Sequence, residues 1–267
     1  MTRPATPPRL IRRVLLFLLS YPRVGRAVST LLGALEVPLL DTISFLEQHT
    51  RVSFCTMMRS FTRVYGSRVI PLDVTLGLTP VLSPTEEVLQ LVQRVESLAI
   101  GYCYCRTKYR NCQNELWTCI HVGTAQSITE LSRRLPMRPA SLQEVEDLIR
   151  RCDRAGLVHQ LITAPTSQYV YVICNCCPCC CVMLRSAIRY GVKNTALASS
   201  FISEVDFAKC TACGECVRRC HFGARQLSDK RLTHIPELCS GCGLCVSSCA
   251  AGATRLVRRQ MWLQLST

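Results

Sequence analysis

Two copies of one four-cysteine motif, 29 residues apart, constrain the fold of this chain more than any other feature. The first copy is Cys210-x2-Cys213-x2-Cys216-x3-Cys220, and the second is Cys239-x2-Cys242-x2-Cys245-x3-Cys249. A repeat of this kind is an internal duplication. It indicates that residues 203–257 form a separate C-terminal module in which both copies are built alike.

The spacing of the repeated motif is typical of iron–sulfur ligation. Three cysteines two residues apart can bind three corners of a cubane from one loop, and the fourth lies a helical turn further on and points away, toward the other cluster. Two intact copies argue against a zinc site or disulfides. The predicted ligands are Cys210, Cys213, Cys216 and Cys249 for one [4Fe–4S] cluster, and Cys239, Cys242, Cys245 and Cys220 for the second.

Residues 203–257 resemble a bacterial-type two-cluster ferredoxin domain, and the resemblance implies electron transfer. The family often has proline directly after the fourth cysteine of each motif, whereas this chain has His221 and Ala250. Because that proline is not a ligand, the expectation of cluster binding is unchanged. We interpret His221 as a partly exposed loop histidine, the alternative being a group that tunes the cluster potential.

The cysteine content points to metal ligation in a reducing compartment. The chain has 20 cysteines among 267 residues, and 48% of its residues are hydrophobic, which is a globular composition. Disulfide-dense domains are usually short and secreted, and we find no convincing signal peptide. We therefore expect a cytoplasmic protein with association at a membrane surface as a further option.

Ten further cysteines lie in the middle of the chain, and we expect a subset of them to bind metal. An additional Fe–S cluster is the preferred interpretation, and zinc, redox-active dithiols and buried structural thiols remain alternatives. We interpret Cys55 and Cys152 as structural. The ten cysteines are Cys103, Cys105, Cys112, Cys119, Cys174, Cys176, Cys177, Cys179, Cys180 and Cys181.

The arrangement of these ten cysteines leaves two hypotheses open. Either Cys103, Cys105, Cys112 and Cys119 bind a cluster by themselves, or subsets of both segments share a site. Six cysteines within the eight residues 174–181 cannot all point at one centre, and Pro178 forces a turn among them.

The middle of the chain carries two motifs, Cys103-x-Cys105-Arg106 and Ile173-Cys-Asn-Cys-Cys-x-Cys-Cys-Cys181. Together with the ferredoxin motifs, they are similar to those of a family of dicluster ferredoxin-like proteins from anaerobic bacteria and archaea. The likeness runs from about Val69 to Val257. It implies cluster binding and redox work but no particular reaction.

The local pattern predicts an α+β fold. Capping boxes at Ser83 and Ser141 begin helices, the first with an apolar stripe that includes Leu98 and an end at Gly101. The runs Leu157–Thr163 and Tyr169–Ile173 predict a hairpin.

We divide the chain into a mainly helical basic region (1–82), a cysteine-rich α+β domain (83–202), the two-cluster ferredoxin domain (203–257) and a tail (258–267).

The chain carries a net charge of +14, and its first 35 residues contain six arginines and no acidic residue. We expect this region to contact an anionic membrane or an acidic protein, and no motif predicts nucleic-acid binding.

Nucleotide-binding and hydrolase motifs are absent from the sequence. We expect an electron-transfer protein that works with redox partner proteins, the alternatives being a reductase subunit whose active site lies in the middle domain and an Fe–S-dependent regulatory protein.

Overall fold

A computed structural model describes residues 37–62, 66–71, 98–122, 135–163 and 170–259, and these ranges form an α+β structure. The helices are α1 (residues 37–49), α2 (Arg51–Phe61), α3 (Tyr104–Tyr109), α4 (Leu142–Arg154), α5 (Val182–Ile188), α6 (Glu215–Arg218) and α7 (Leu244–Ser247). The strands are β1 (Gly66–Ile70), β2 (Leu98–Tyr102), β3 (Trp117–Val122), β4 (Met137–Pro139), β5 (Val158–Thr163), β6 (Val170–Cys176), β7 (Phe201–Val205), β8 (Arg225–Ser228), β9 (Arg231–His234) and β10 (Thr254–Arg258).

A six-stranded antiparallel sheet organises the middle of the chain, in the order β1-β5-β6-β3-β2-β4. Its register places Cys119 of β3 opposite Cys174 of β6, and Gln160 of β5 also opposite Cys174. Directly paired residues share one face of a sheet, and every second residue along a strand returns to that face. Cys119, Cys174 and Cys176 therefore lie on one face, which we call the thiol face.

Helix α4 covers the opposite face of this sheet. Ser141 begins the helix with a complete capping box, in which its hydroxyl accepts from the amide of Glu144 and its own amide donates to the Glu144 carboxylate. The apolar stripe of α4 packs against the sheet residues Ile120 and Ile173 in a buried cluster. Gly156, with φ at +79°, turns the chain from the helix toward β5.

The helices α1, α2 and α5 pack together in a second buried cluster that includes Cys176 of the thiol face. The buried carboxylate of Glu47 connects α1 to α3 and α5, because it accepts hydrogen bonds from Tyr109 of α3 and from Tyr190 and forms an ion pair with Arg185 of α5. Arg185 also stacks on the ring of Tyr109, 4.2 Å from its centroid. These contacts hold α1 against the cysteine-rich part of the chain.

The C-terminal module preserves its duplication in the backbone. Ala212 and Gly241 occupy equivalent positions with φ of +52° and +66°, and Gly214 and Gly243 begin α6 and α7 with φ of +79° and +82°. The strands pair across the repeats, β7 with β10 and β8 with β9. The two loops are thus held in matching conformations by a shared framework.

The structure confirms the α+β class, the capping box at Ser141 and the hairpin of β5 and β6, although β6 continues to Cys176. The expectation that a helix extends to Gly101 is wrong, because Leu98–Tyr102 is a strand paired with both β3 and β4. The capping box at Ser83 lies outside the described residues. None of the helices in the described ranges combines the length and the apolar character needed to cross a bilayer.

Candidate metal centres

The ten middle cysteines separate into two groups, each with members from both segments. One group, the four-thiol site, consists of Cys112, Cys177, Cys179 and Cys180. The other, the six-thiol ring, consists of Cys103, Cys105, Cys119, Cys174, Cys176 and Cys181, all of which line one cavity. The structure thus brings thiols of both segments together in each group, and it places Cys112 in a different group from Cys103, Cys105 and Cys119.

The four-thiol site has the dimensions of a tetrahedral single-ion site. Its sulfurs all lie within 4.8 Å of one another. The Sγ of Cys112 is 3.7 Å from that of Cys177 and 3.9 Å from that of Cys180, and the sulfurs of Cys179 and Cys180 are 3.8 Å apart. Tetrahedral zinc with Zn–S bonds of about 2.3 Å places its sulfurs about 3.8 Å apart. These four residues could hold one metal ion.

The loops around the four-thiol site support it with hydrogen bonds. Asn114 Nδ2 donates to Cys112 Sγ at 3.4 Å, and Asn111 Nδ2 donates to the Cys179 carbonyl at 2.8 Å. Burial raises the pKa of Cys112, but the Asn114 amide and the neighbouring thiols outweigh it and lower that pKa to about 7. Burial raises the pKa of Cys180 to about 12. Cys112 is thus more acidic than Cys180, and a thiol must lose its proton to bind metal.

Arg106 is a buried cation beside these cysteines. It is 1% exposed, donates to the carbonyl of Glu115 and, at 3.0 Å, to the carbonyl of Asn175, and approaches Cys177 Sγ at 3.8 Å. Burial opposes its charge, but the neighbouring thiols Cys103 and Cys177 outweigh that effect and raise the pKa of Arg106. Among the described residues no carboxylate pairs with it, so thiolates are its available counter-charge.

The six-thiol ring is built by four elements. Cys119, Cys174 and Cys176 come from the thiol face, Cys103 precedes α3, Cys105 lies within α3, and Cys181 precedes α5. Each thiol interacts with two others, in the order 103–105–181–176–174–119 and back to 103. The chain enters α3 between Cys103 and Cys105, and both thiols line the same cavity.

The pKa values of these six thiols shift in two directions, and neighbouring thiols are the main cause. The thiol of Cys105 lowers the pKa of both Cys103 and Cys181. The pKa values of Cys105, Cys119, Cys174 and Cys176 are raised by neighbouring thiols and by burial. Cys103 and Cys181 are thus the more acidic thiols of the ring.

The cavity inside the ring measures about 100 Å³. Its remaining walls are mainly apolar and come from α1, the strands and α5, for example Leu39, Val172 and Met183. His121, which follows Cys119 by two residues on the same face, also lines it, and burial lowers the pKa of His121 to about 4. The imidazole is thus neutral near pH 7, as expected of a structural histidine.

In the C-terminal module, two further cavities of about 20 Å³ each lie between the repeats. One is lined by Cys239, Cys242, Cys245 and Cys220, and the other by Cys210, Cys213, Cys216 and Cys249. Each cavity thus has three cysteines of one motif and the fourth cysteine of the other. Four soft thiolate donors around a small cavity fit the ligand set of a [4Fe–4S] cluster.

The surroundings of the second set include a buried arginine that the sequence did not single out. Arg225 is 3% exposed, donates to Ser203 Oγ at 2.8 Å and approaches Cys245 Sγ at 4.0 Å. Burial raises the pKa of Cys239, but hydrogen bonds from His234 and Ser203 outweigh it and lower that pKa to about 6. Both features stabilise negative charge on this set.

His221 lies in a turn, is partly buried and contacts the middle of the chain. Its Nε2–H donates to the carbonyl of Gly156 at 2.8 Å, and the neighbouring Arg219 donates to the carbonyls of Asp153 and Arg154. These bonds dock the C-terminal module on the end of α4.

Cys55 and Cys152 lie outside both groups of middle cysteines, and all twenty cysteines are free thiols.

Neither protein-family models nor curated proteins match this chain. The functional argument therefore depends on the geometry of the sites.

Proposed function

We propose that this chain is an iron–sulfur electron-transfer protein of an anaerobic redox system, with two [4Fe–4S] clusters in residues 203–257. One observation carries the proposal: two cavities between the repeats are each lined by three cysteines of one motif and the fourth of the other. This is the ligand set that crossed ligation in two-cluster ferredoxins requires.

Bound clusters of this type supply one-electron transfer at a potential set by charge and by hydrogen bonds to sulfur. Residues of this chain provide both. Arg225 places a buried positive charge near Cys245, and the amide of Ala253 donates to Cys249 Sγ at 3.3 Å. Ser203 lies 3.5 Å from Cys239 Sγ.

The exposure of the two ligand sets indicates which of them would face a redox partner. Cys213 is exposed, whereas Cys239, Cys242 and Cys245 are buried. Cys242 packs in the same buried cluster as Cys176 of the six-thiol ring. The first set would therefore face a redox partner, and the second would face the middle of the chain.

A second candidate function is that of a reductase subunit whose active site lies in the middle domain. The observation that favours it is the apolar cavity within the six-thiol ring, which is about five times the volume of either cavity of the C-terminal module. Turnover of a substrate by the reduced protein would favour this alternative over simple electron transfer.

Crossed ligation gives the proposal its test. We expect Cys220→Ser to alter the cluster of Cys239, Cys242 and Cys245, because Cys220 lines their cavity. In anaerobic protein, the EPR spectrum of Cys220→Ser should match that of Cys242→Ser, which serves as the reference for this cluster.

The matched variant is Cys249→Ser, whose spectrum should resemble that of Cys213→Ser because both residues line the other cavity. If each variant instead resembled the reference for the nearer motif, the crossed pairing would be wrong. If all four variants kept the iron and sulfide content of the unmodified protein, the proposed function would be refuted.

A further inference from the structure

The thiols of the six-thiol ring are spaced more widely than the ligands of one tetrahedral ion. Of the ligand groups in the described ranges, the four-thiol site alone brings three or more donor atoms within 4.8 Å of one another. No three thiols of the ring lie within 4.8 Å of one another, whereas the sulfurs around one tetrahedral ion lie about 3.8 Å apart. The eight cysteines of the ferredoxin motifs share this wider spacing.

The volume of the cavity indicates an occupant of several atoms. A water molecule needs roughly 10–15 Å³ of such volume, and the cavity inside the ring offers about 100 Å³. Each cavity of the C-terminal module, where four cysteines fit a cubane, offers about 20 Å³. The cavity that the six thiols line is therefore large enough for an occupant of several atoms.

A buried amide is aimed at the ring. Gln160 is fully buried on the thiol face, and its Nε2 donates to Cys181 Sγ at 3.5 Å. Ser67, also buried, donates to Gln160 Oε1 at 2.8 Å and thereby directs the amide nitrogen to the sulfur. Oriented N–H donors to ligand sulfurs accompany metal centres and tune their potential.

We propose that the six-thiol ring binds a polynuclear iron–sulfur cluster, separate from the single ion of the four-thiol site. Thiolate ligands select iron–sulfur clusters, zinc or copper(I), and the choice of iron and sulfide among these rests on the proposed function of the C-terminal module. The other walls of the cavity are mainly apolar and include Leu39, Val172 and Met183.

The first experiment counts iron, zinc, copper and acid-labile sulfide in the anaerobically purified full chain. Two cubanes account for about eight irons and eight sulfides per chain. We expect about twelve sulfides, because a further cubane adds about four and a single ion in the four-thiol site adds none. A count of about eight sulfides would overturn the proposal, as would zinc or copper in the ring.

Two variants locate the additional cluster. Cys174→Ser should remove about four irons and four sulfides and leave the ferredoxin EPR signals unchanged. Cys179→Ser should remove one metal ion and no sulfide, because Cys179 belongs to the four-thiol site. Loss of a single ion without sulfide in Cys174→Ser would refute the assignment.

Cys152→Ser is the matched control, because Cys152 is 2% exposed and lies outside both groups of middle cysteines. It should keep the full sulfide count, which separates ligand loss from the general effect of a hydroxyl in the core. If Cys174→Ser fails to fold, the sulfide count of the unmodified chain decides the question by itself.

The same samples separate this inference from the proposed function. If a chain that carries both Cys213→Ser and Cys242→Ser contains no sulfide, the two-cluster function stands and the additional cluster is refuted. If sulfide survives in a chain that carries both changes and disappears with Cys174→Ser, the ring binds a cluster whatever the C-terminal module holds.

Discussion

Two buried arginines approach thiols, whereas a third pairs with a carboxylate. Arg106 contacts Cys177 and Arg225 contacts Cys245, and in each side chain Nε has no partner in the described part of the chain. Arg185, in contrast, forms its ion pair with Glu47. Because a buried charge requires a counter-charge, the first two arginines are suited to compensate anionic thiolate centres.

We predict that Arg106→Met weakens metal binding at the four-thiol site. The variant removes the cation beside Cys177, and loss of a supporting contact to a ligand costs about 10–100-fold in metal affinity. Competition with a chelator on the full chain measures the change. Arg185→Met is the control, since that arginine forms its ion pair with Glu47. An unchanged metal affinity in Arg106→Met would contradict the idea that Arg106 compensates the charge of the thiolates.

His159 adds a pH dependence to stability. Burial lowers its pKa, against smaller opposing effects of Asn175 and Asp153. Because Asn175 Nδ2 donates to the Thr118 carbonyl, its Oδ1 faces His159 Nδ1 at 2.6 Å and accepts the proton of a neutral ring. The folded state therefore binds this proton less readily than the unfolded state does.

We predict that the free energy of unfolding falls as the pH drops below about 6.5, the pKa of an unfolded histidine. In that range the unfolded chain gains a proton that folded His159 resists, with a slope of up to about 1.4 kcal/mol per pH unit. Above pH 6.5 this contribution is constant. Denaturation of the unmodified chain and of His159→Gln at several pH values should show the steeper loss in the former; parallel curves would rule it out.

The turns of the duplicated motif make different demands on glycine. A Cβ at Gly241, where φ is +66°, would lie 2.1 Å from the Phe201 carbonyl oxygen, whereas at Gly252, with φ of +59°, it would meet nothing within 4 Å. Both positions cost about 1–2 kcal/mol for a left-handed alanine. The steric clash is specific to Gly241, which lines the cavity of Cys239, Cys242 and Cys245.

We predict that Gly241→Ala lowers the iron content of that cavity and that Gly252→Ala leaves it unchanged. The clash displaces the loop between β9 and α7 away from Phe201 of β7, whereas the control retains only the conformational cost. Iron analysis and EPR of the two variants make the comparison. Equal iron loss in both would show that backbone conformation, and not the clash, limits cluster binding.

Elements with local signals were predictable, and those defined by distant partners were not. The capping box of α4 lies within four residues, and the hairpin of β5 and β6 joins neighbouring segments. Strand β2 was assigned to a helix because Leu98 continues an apolar stripe, although its pairing with β3 and β4 makes it a strand.

The division of the middle cysteines also depends on distant contacts. Cys112 joins Cys177 and Cys180 across 65 and 68 residues of sequence. The sequence supported the argument that residues 174–181 cannot serve one centre, but the choice of partners follows from the register of Cys119 with Cys174. Arg106 stood in a noted motif, whereas Gln160 and Arg225 carried no signal in the sequence.

The asymmetric charge of the chain gives a prediction about attachment. The six arginines among the first 35 residues lie outside the described residues, and they are Arg3, Arg9, Arg12, Arg13, Arg23 and Arg26. We predict that deletion of residues 1–26 leaves the cluster content intact and weakens binding to anionic vesicles, since each arginine at such a surface contributes about 1 kcal/mol. Sedimentation with anionic and with neutral vesicles measures the binding. Loss of iron on deletion would contradict the prediction.

Two pairs of consecutive residues are divided between the centres of the middle domain. Cys176 and Cys181 belong to the six-thiol ring, and their neighbours Cys177 and Cys180 belong to the four-thiol site. A ligand fixed on one side therefore restricts the backbone of its neighbour on the other. Because a ligand that is already held in place loses less conformational entropy on binding, we expect metal in either group to favour metal in the other by the same factor in both directions.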